Sequence, residues 1–342
     1  MKMNARGPRQ CDGTAQSVIS ESWIGFVALL LVVLFSENVL GAEHVLGKVT
    51  SDLVPSPVEY AYLAPVGYQG MEDLPLVLNL HGGGGSRDSL KRNEAALDRL
   101  WEEALIPPAI MVMPSVTARG FYMNFKDGSE RWEDFIVGPF LAHLRETLPV
   151  ADDPKRTFLI GVSMGGMGSL RMAFRYPDRF GAVAALEPGI EPILRYEDMR
   201  MKHRFWRADR LIERAFGKPV DAAYWAANNP ATMAITHRDA IRESGLQIYV
   251  EAGDEDEFWL YEGAEFLHQT LWQQKIKHEY HLVRGAGHVD GSMGERFDEA
   301  LRFLFRSDNP WPEPPLRVRA TMRLIEMQKR KTDELDHYNQ PD

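Results

Sequence analysis

The fold of this chain is decided by Gly161-Val162-Ser163-Met164-Gly165. This stretch follows an apolar run that predicts a strand over 156–162, and it opens a pattern that predicts a helix over 164–176. A serine on such a sharp strand-to-helix turn has a strained backbone and a hydroxyl that stands clear of the sheet. The helix N-terminus beside it also favours developing negative charge. We therefore predict that Ser163 is a nucleophile, with a structural glycine-rich turn as the alternative.

Short apolar runs and helical patterns alternate on both sides of this turn. The predicted strands are 58–64, 76–80, 109–113, 156–162, 181–186, 246–251 and 278–283. The predicted helices are 86–105, 132–148, 164–176, 261–274 and 292–305. Such alternation is typical of βαβ units, and continuous apolar strands are typical of a sheet covered on both faces. We predict an α/β fold with a mostly parallel central sheet and helices on both faces.

Segments at both ends and one in the middle depart from this alternation. Residues 1–42 have a basic start, an apolar run over 23–35 and small residues at the end, which is typical of a secretory signal peptide. The apolar run is short for a membrane span of about 20 residues. We expect a cleaved signal and a secreted or periplasmic protein, with an uncleaved membrane anchor as the alternative. The catalytic domain is then 43–308, with an insertion over the sheet at about 187–235 and a charged tail at 309–342.

Composition argues against several classes of function. The 342 residues carry a formal net charge of −10, whereas nonspecific nucleic-acid binding needs a basic surface. The single cysteine, Cys11, lies in the predicted signal segment, so we expect the mature domain to rely on its core rather than on disulfides. His278 and His281 lie three apart on a predicted strand and point to opposite faces, so no metal site is expected there. The glycine spacing around Ser163 does not fit a dinucleotide-binding pattern.

A second glycine-rich stretch, His81-Gly82-Gly83-Gly84-Gly85, directly follows the strand predicted over 76–80. Acyl transfer builds an oxyanion that preorganised backbone N–H groups must meet. One donor is the residue after the nucleophile, here Met164, and the other comes from a loop of this kind. We predict Gly83 as the second donor, with Gly82 as the alternative. A phosphate loop is not expected, because the stretch does not end in Gly-Lys-Ser/Thr.

Loops after the last two predicted strands supply the remaining catalytic candidates. His288 ends Gly285-Ala286-Gly287-His288, where an imidazole can reach the serine hydroxyl as general base. The loop before it reads Gly253-Asp254-Glu255-Asp256-Glu257. A carboxylate there orients the imidazole, and the chain order Ser, Asp, His is the one that α/β hydrolases use. We prefer Asp256 because it lies deeper in the loop, with Asp254 as the alternative.

Aromatic side chains are frequent in the insertion. Trp206, Tyr224 and Trp225 are candidates for stacking on a sugar or aryl group of a substrate. They are equally candidates for the insertion's own core, and the sequence leaves both roles open.

These motifs together resemble the esterase D, antigen 85 and feruloyl esterase group of α/β hydrolases. The matching segments are 79–85, 161–168, 176–180, 216–219, 224–225, 229–230, 253–256 and 287–288. The resemblance covers roughly 59–305 and implies an α/β-hydrolase fold and a serine esterase without a metal or organic cofactor. Many members release acyl groups from carbohydrates or small alcohols. The resemblance therefore implies a small-molecule or carbohydrate ester as substrate, of acetyl or feruloyl type.

Three other functions stay open at this point. A secreted serine peptidase of the same fold shares the triad and its order. An acyltransferase is open because the antigen 85 branch transfers acyl groups. A non-catalytic binding protein on a hydrolase scaffold is the rival from another class, although such proteins typically lose one triad residue.

Overall fold

The computed structural model describes residues 41–117, 120–203, 208–308, 310 and 312–338, with side chains up to residue 332. The described strands are β1 (Ala42–Val49), β2 (Val58–Pro65), β3 (Leu76–Leu80), β4 (Ile110–Pro114), β5 (Thr157–Val162), β6 (Ala182–Leu186), β7 (Gln247–Gly253) and β8 (Glu279–Val283). They form one sheet in the order β1-β2-β4-β3-β5-β6-β7-β8. The pairs β1–β2 and β2–β4 are antiparallel, and the other neighbours are parallel. This arrangement confirms the predicted α/β-hydrolase fold class.

Helices cover both faces of this sheet. The described α-helices are α1 (Glu94–Glu102), α2 (Trp132–Phe135), α3 (Leu141–Thr147), α4 (Met164–Arg175), α5 (Asp209–Phe216), α6 (Ala222–Ala227), α7 (Pro230–Thr236), α8 (Arg238–Ser244), α9 (Leu260–Gln273), α10 (Met293–Leu304) and α11 (Leu316–Tyr338). Successive side chains of a strand point to opposite faces. Along β3, Leu76 and Leu78 therefore join the core beneath α3, α4 and α9, while Val77 joins the core beneath α1 and α10.

The strands β3, β5, β6, β7 and β8 run parallel, so they all end at the same edge of the sheet. Ligand sites of open α/β sheets form at this edge, outside the carboxyl ends of the strands. The residues that follow these strands, directly or within a few positions, include His81, Ser163, Glu187, Asp256 and His288. The topology therefore gathers in one place residues that are far apart in the chain.

Two elements differ from the sequence-based expectation. The sequence predicts the first strand at 58–64, whereas β1 precedes it and pairs along the whole of β2. As a partly exposed edge strand, β1 has only a weak apolar pattern, and it begins at Ala42, where the predicted signal segment ends. The single helix predicted over 132–148 is divided into α2, a π-helical turn at Ile136–Phe140, and α3. Pro139 lies in that turn and has no N–H to continue the helical ladder.

The insertion and the two ends of the chain complete the description. Between β6 and β7 the described residues form helices and turns, and the bounds of the insertion, about 187–235, stay a prediction. α11 accounts for most of the tail 309–342, and its described side chains are largely exposed. Apart from its last two residues, the predicted signal segment 1–42 lies outside the described residues. Among the described helices, none has the length and apolar character that crossing a membrane requires.

Candidate active site

Ser163 occupies a strained turn between β5 and α4. Its φ of 58° lies in the left-handed region, which is costly for a residue with a side chain unless the surroundings hold it. The Ser163 N–H donates to the carbonyl oxygen of Leu186 at 2.9 Å, and the Ser163 carbonyl accepts from the N–H of Gly189 at 3.1 Å. The end of β6 and the residues after it therefore hold the turn in place.

Glycines on either side of Ser163 let three backbone segments meet. A Cβ at Gly165 would lie 1.9 Å from the carbonyl oxygen of Leu80, and one at Gly161 would lie 2.4 Å from the backbone of Gly165. Both distances are far inside van der Waals contact. α4 therefore reaches the ends of β3 and β5 only because neither position carries a side chain.

Asp256 and His288 meet across the loops that follow β7 and β8. His288 Nδ1 lies 2.6 Å from Asp256 Oδ2, and Asp256 Oδ1 accepts from the N–H of Phe258 at 2.6 Å. Burial raises the pKa of Asp256, but hydrogen bonds from His288 and Glu187 outweigh burial, so the pKa lies below its ordinary value. An ionised carboxylate fixed in this way holds the imidazole in the tautomer with its proton on Nδ1.

Asp254, the alternative acid, has a different set of partners. Its Oδ1 accepts from the N–H of Gly285 at 2.6 Å, and its Oδ2 pairs with the exposed guanidinium of Arg284 at 3.0 Å. The structure therefore brings Asp256, and not Asp254, to the imidazole of His288.

A cavity of about 890 Å³ opens at this edge of the sheet, and both Ser163 and His288 line it. Its apolar lining includes Met113, Phe121, Ala208, Leu211, Phe258, Leu260 and Met293. Ala208 and Leu211 belong to the predicted insertion, which therefore contributes to the wall. Ser89, Arg92 and Asn93 add polar groups. A concave site with an apolar lining and a few polar groups is typical of small-molecule binding.

The predicted oxyanion donors lie beside the nucleophile. Met164 begins α4 directly after Ser163, and a Cβ at Gly82 would lie 3.6 Å from the Cβ of Ser163. Within the described part of the chain, the N–H groups of Met164 and Gly83 donate to no protein acceptor, so both are available to an oxyanion. The choice of Gly83 over Gly82 as second donor stays a prediction.

His81 holds the shape of the oxyanion loop. Its ring is buried, with Nδ1 2.9 Å from the carbonyl oxygen of Gly82 and Nε2 3.2 Å from the backbone nitrogen of Val116. Since a carbonyl only accepts and an N–H only donates, the ring carries its proton on Nδ1. Burial lowers the pKa of His81, which favours the neutral ring. Both ring nitrogens are thus engaged in structure, and His81 is not a candidate base.

Glu187 is a neighbour of this pair that the sequence analysis does not single out. It follows β6 directly, is fully buried, and its carboxyl group lies close to that of Asp256. One side-chain atom each of Glu187, Asp256 and His288 lies within 4.8 Å of the others, a spacing that a cation could also bridge. The guanidinium of Arg296 already supplies a positive charge beside the Glu187 carboxyl. We therefore interpret the cluster as hydrogen-bonded rather than as a cation site. The sequence feature that points to Glu187 is its position as an acidic residue immediately after a buried strand.

The aromatic residues predicted to stack on a substrate have other environments. Trp206 lies outside the described residues. Trp225 is 2% exposed and packs against Tyr196, and the Tyr224 hydroxyl donates to the carbonyl oxygen of Asn124 at 2.8 Å. Neither Tyr224 nor Trp225 lines the cavity at Ser163. Of the two roles that the sequence leaves open, the contacts of Tyr224 and Trp225 favour packing within the protein over stacking on a substrate.

A comparison with known protein families identifies the family of this chain. A family model described as "Putative esterase" matches residues 51–304. The chain belongs to this esterase family. Membership confirms the resemblance seen in the sequence, and it confirms the prediction of a carboxylic ester hydrolase.

Solved structures show the same fold as this esterase. A ferulic acid esterase has a TM-score of 0.65 at 20% identity, covering 78% of this chain and 98% of that one. An S-formylglutathione hydrolase from Agrobacterium tumefaciens has a TM-score of 0.63 at 18% identity, covering 78% and 96%. An acetyl esterase from Caldicellulosiruptor saccharolyticus is 29% identical over 70 residues, which are 20% of this chain and 26% of that protein. This last match thus spans about a quarter of the curated relative.

Proposed function

We propose that this esterase is a secreted serine hydrolase that cleaves carboxylic esters through Ser163, His288 and Asp256. The observation that carries the proposal is that Ser163 and His288 line one cavity while His288 Nδ1 lies 2.6 Å from Asp256. The strained backbone of Ser163 supports the same role, because such strain persists where a function requires it.

The reaction proceeds in two steps through an acyl-enzyme. Ser163 Oγ attacks the ester carbonyl while His288 takes its proton, and the N–H groups of Met164 and Gly83 stabilise the oxyanion. The C–O bond of the ester then breaks, and His288 gives its proton to the leaving alcohol. A water molecule repeats the sequence and releases the acid from Ser163. Asp256 holds the imidazole and stabilises its charged form throughout.

The substrate class that we propose is an acetyl or feruloyl ester of a carbohydrate. Two proteins that this chain resembles, an acetyl esterase and a ferulic acid esterase, support this class. The cavity at Ser163, with its apolar wall and the polar groups of Ser89, Arg92 and Asn93, supports a small ester that carries hydroxyl groups.

Hydrolysis of 4-nitrophenyl acetate by the full chain tests the nucleophile. We expect Ser163→Ala to lower kcat by about 10⁴- to 10⁶-fold, as loss of a triad serine does in other hydrolases. Ser129 is exposed and remote from the cavity, so Ser129→Ala is the matched control and should keep wild-type activity. Activity that survives in Ser163→Ala would refute the proposal.

Acetylated and feruloylated sugar esters, compared with peptides of similar size, then test the substrate class. Preferential cleavage of the peptides would favour the peptidase alternative, and acyl transfer to an added alcohol in place of hydrolysis would favour the acyltransferase. A folded wild-type protein that binds these esters without turnover would favour the binding protein.

Secretion is tested separately, by N-terminal sequencing of protein recovered outside the cell. A new N-terminus near residue 43 is expected, and an intact chain in the membrane fraction would contradict secretion.

A further inference from the structure

A buried group of charged side chains lies directly behind Asp256. Glu187 Oε1 accepts from the N–H of Gly253 at 2.6 Å and from the guanidinium of Arg296. Arg296 also pairs with Glu251 at 2.7 Å, and both glutamates are fully buried. The neighbouring ends of β6 and β7 place these groups side by side, so their contact follows from the parallel pairing of the two strands.

The second carboxyl oxygen of Glu187 has a different environment. Glu187 Oε2 is buried and receives no hydrogen bond from a donor among the described residues. A carboxyl oxygen of Glu187 nevertheless lies within 4.8 Å of a carboxyl oxygen of Asp256. Two ionised carboxylates cannot hydrogen-bond to each other, because neither has a donor. A proton on one of them would supply that donor, and two buried carboxyls this close titrate as a unit.

That proton belongs on Glu187. Asp256 already accepts from the N–H of Phe258 at 2.6 Å, from that of Leu260 at 3.3 Å, and from His288 Nδ1 at 2.6 Å. Three donors stabilise its ionised form, whereas the Oε2 of Glu187 lacks any. A neutral Glu187 donates through Oε2 and still accepts through Oε1, so every buried oxygen of the pair is satisfied.

We propose that Glu187 is a positioning residue whose neutral carboxyl donates a hydrogen bond to Asp256 and so holds that carboxylate against His288 Nδ1. This inference rests on the proposed function, because it assigns Glu187 a task only in a triad. Glu187 contacts neither the substrate nor Ser163 in this scheme. It acts through Asp256 alone.

The charges around Glu187 agree with its neutral form. The facing groups are Asp256 and Glu251 from the side of β7, Arg296 from α10, and Tyr280 and His288 from the side of β8. An ionised Glu187 would place two buried carboxylates on the single guanidinium of Arg296, with the carboxylate of Asp256 close by. Burial first, and the hydrogen bond with Asp256 second, raise the pKa of Glu187 to about 9, although Gly253 and Arg296 oppose the shift.

The pH dependence of kcat/KM between pH 6 and 10.5 tests this inference in Glu187→Gln and Glu187→Leu. The glutamine amide donates to Asp256 and accepts from Gly253 and Arg296, but it cannot ionise. At pH 7 we expect kcat to fall by less than about fivefold in Glu187→Gln. In Glu187→Leu we expect kcat to fall by about 10- to 100-fold, because a hydrogen bond to a charged group is lost. Near pH 9 the wild type should show a fall in activity that Glu187→Gln lacks.

Glu133 provides a matched control. It is buried, pairs with Arg175 at 2.5 Å, and has a pKa raised by burial, yet it lies outside the cavity. Glu133→Gln should keep the wild-type alkaline fall. The inference is overturned if Glu187→Gln shows that fall too, or if it is as impaired at pH 7 as Glu187→Leu. It is also overturned if a chelator abolishes wild-type activity and Zn²⁺ restores it, because a cation would then bridge the cluster.

Infrared spectroscopy gives a readout that does not depend on activity. The C=O stretching band of protonated carboxyls at pH 7 should be as intense in Ser163→Ala as in the wild type and weaker by one carboxyl in Glu187→Gln, and the wild-type band should weaken near pH 9. If hydrolysis survives in Ser163→Ala, the proposed function fails, and the infrared band still decides where the proton lies. A band that does not change in Glu187→Gln would overturn the inference by itself.

Discussion

Replacing Gly165 with alanine should damage both the stability and the activity of this esterase. In an open helix the change would stabilise the fold by about 1 kcal/mol, because glycine is a poor helix former. Here the new Cβ would lie 1.9 Å from the carbonyl oxygen of Leu80, so the two backbones must separate by about 1.5 Å to reach ordinary contact. Overpacking of this kind costs about 1–3 kcal/mol and sometimes more. Because Leu80 leads into the oxyanion loop, a misplacement of about 1 Å should also lower kcat by about 100-fold.

Urea unfolding followed by tryptophan fluorescence, together with aryl acetate hydrolysis, measures both effects. The matched variant is Gly294→Ala in α10, where an added Cβ meets nothing within 4 Å. Glycine and alanine differ there only in helix propensity, so Gly294→Ala should raise the free energy of unfolding by up to about 1 kcal/mol. If Gly165→Ala is as stable and as active as the wild type, the close approach of α4 to β3 is not what the site requires.

Asp256→Asn should lower kcat by about 10⁴-fold, because the amide no longer stabilises the charged imidazole of His288, whereas Asp254→Asn should stay close to wild type; equal losses in the two variants would contradict the choice of acid. Arg296→Met leaves the buried carboxylate of Glu251 without its guanidinium and removes a hydrogen-bond donor from Glu187, so the free energy of unfolding in urea should fall by about 3–5 kcal/mol; an unchanged value would mean that these contacts are not needed. The pKa of Glu187 is near 4.5 in the unfolded chain and about 9 in the folded protein. Between these two pH values the folded protein keeps a proton on Glu187 that the unfolded chain has released, so the contribution of Glu187 to stability declines as pH rises. The free energy of unfolding of Glu187→Gln, relative to that of the wild type, should therefore increase from pH 5 to pH 9. A difference that does not change with pH would refute the raised pKa of Glu187.

Much of the active site is visible in the sequence because its parts are local patterns. Gly161-Val162-Ser163-Met164-Gly165 predicts the nucleophile turn, since the strand, the serine and the small flanking residues are consecutive. The oxyanion loop and the loop of His288 are visible for the same reason. Alternating apolar runs likewise predict the strands that form the centre of the sheet. The edge strand β1 was missed because its side chains are only partly buried, and a partly exposed strand needs no clear apolar alternation.

Other parts of the site depend on which loops and strands become neighbours. Asp254 and Asp256 are two residues apart in one acidic loop, and only the fold shows which of them meets His288. Trp225 and Tyr224 look like substrate-stacking residues until the packing of α6 buries one and engages the other. Glu187 and Asp256 belong to different loops and lie close together because β6 and β7 are adjacent in the sheet. The sequence by itself determined the chemistry that consecutive residues can carry. The tertiary structure decided which buried carboxyls become neighbours, and the energy of a buried carboxyl depends on its neighbours in space.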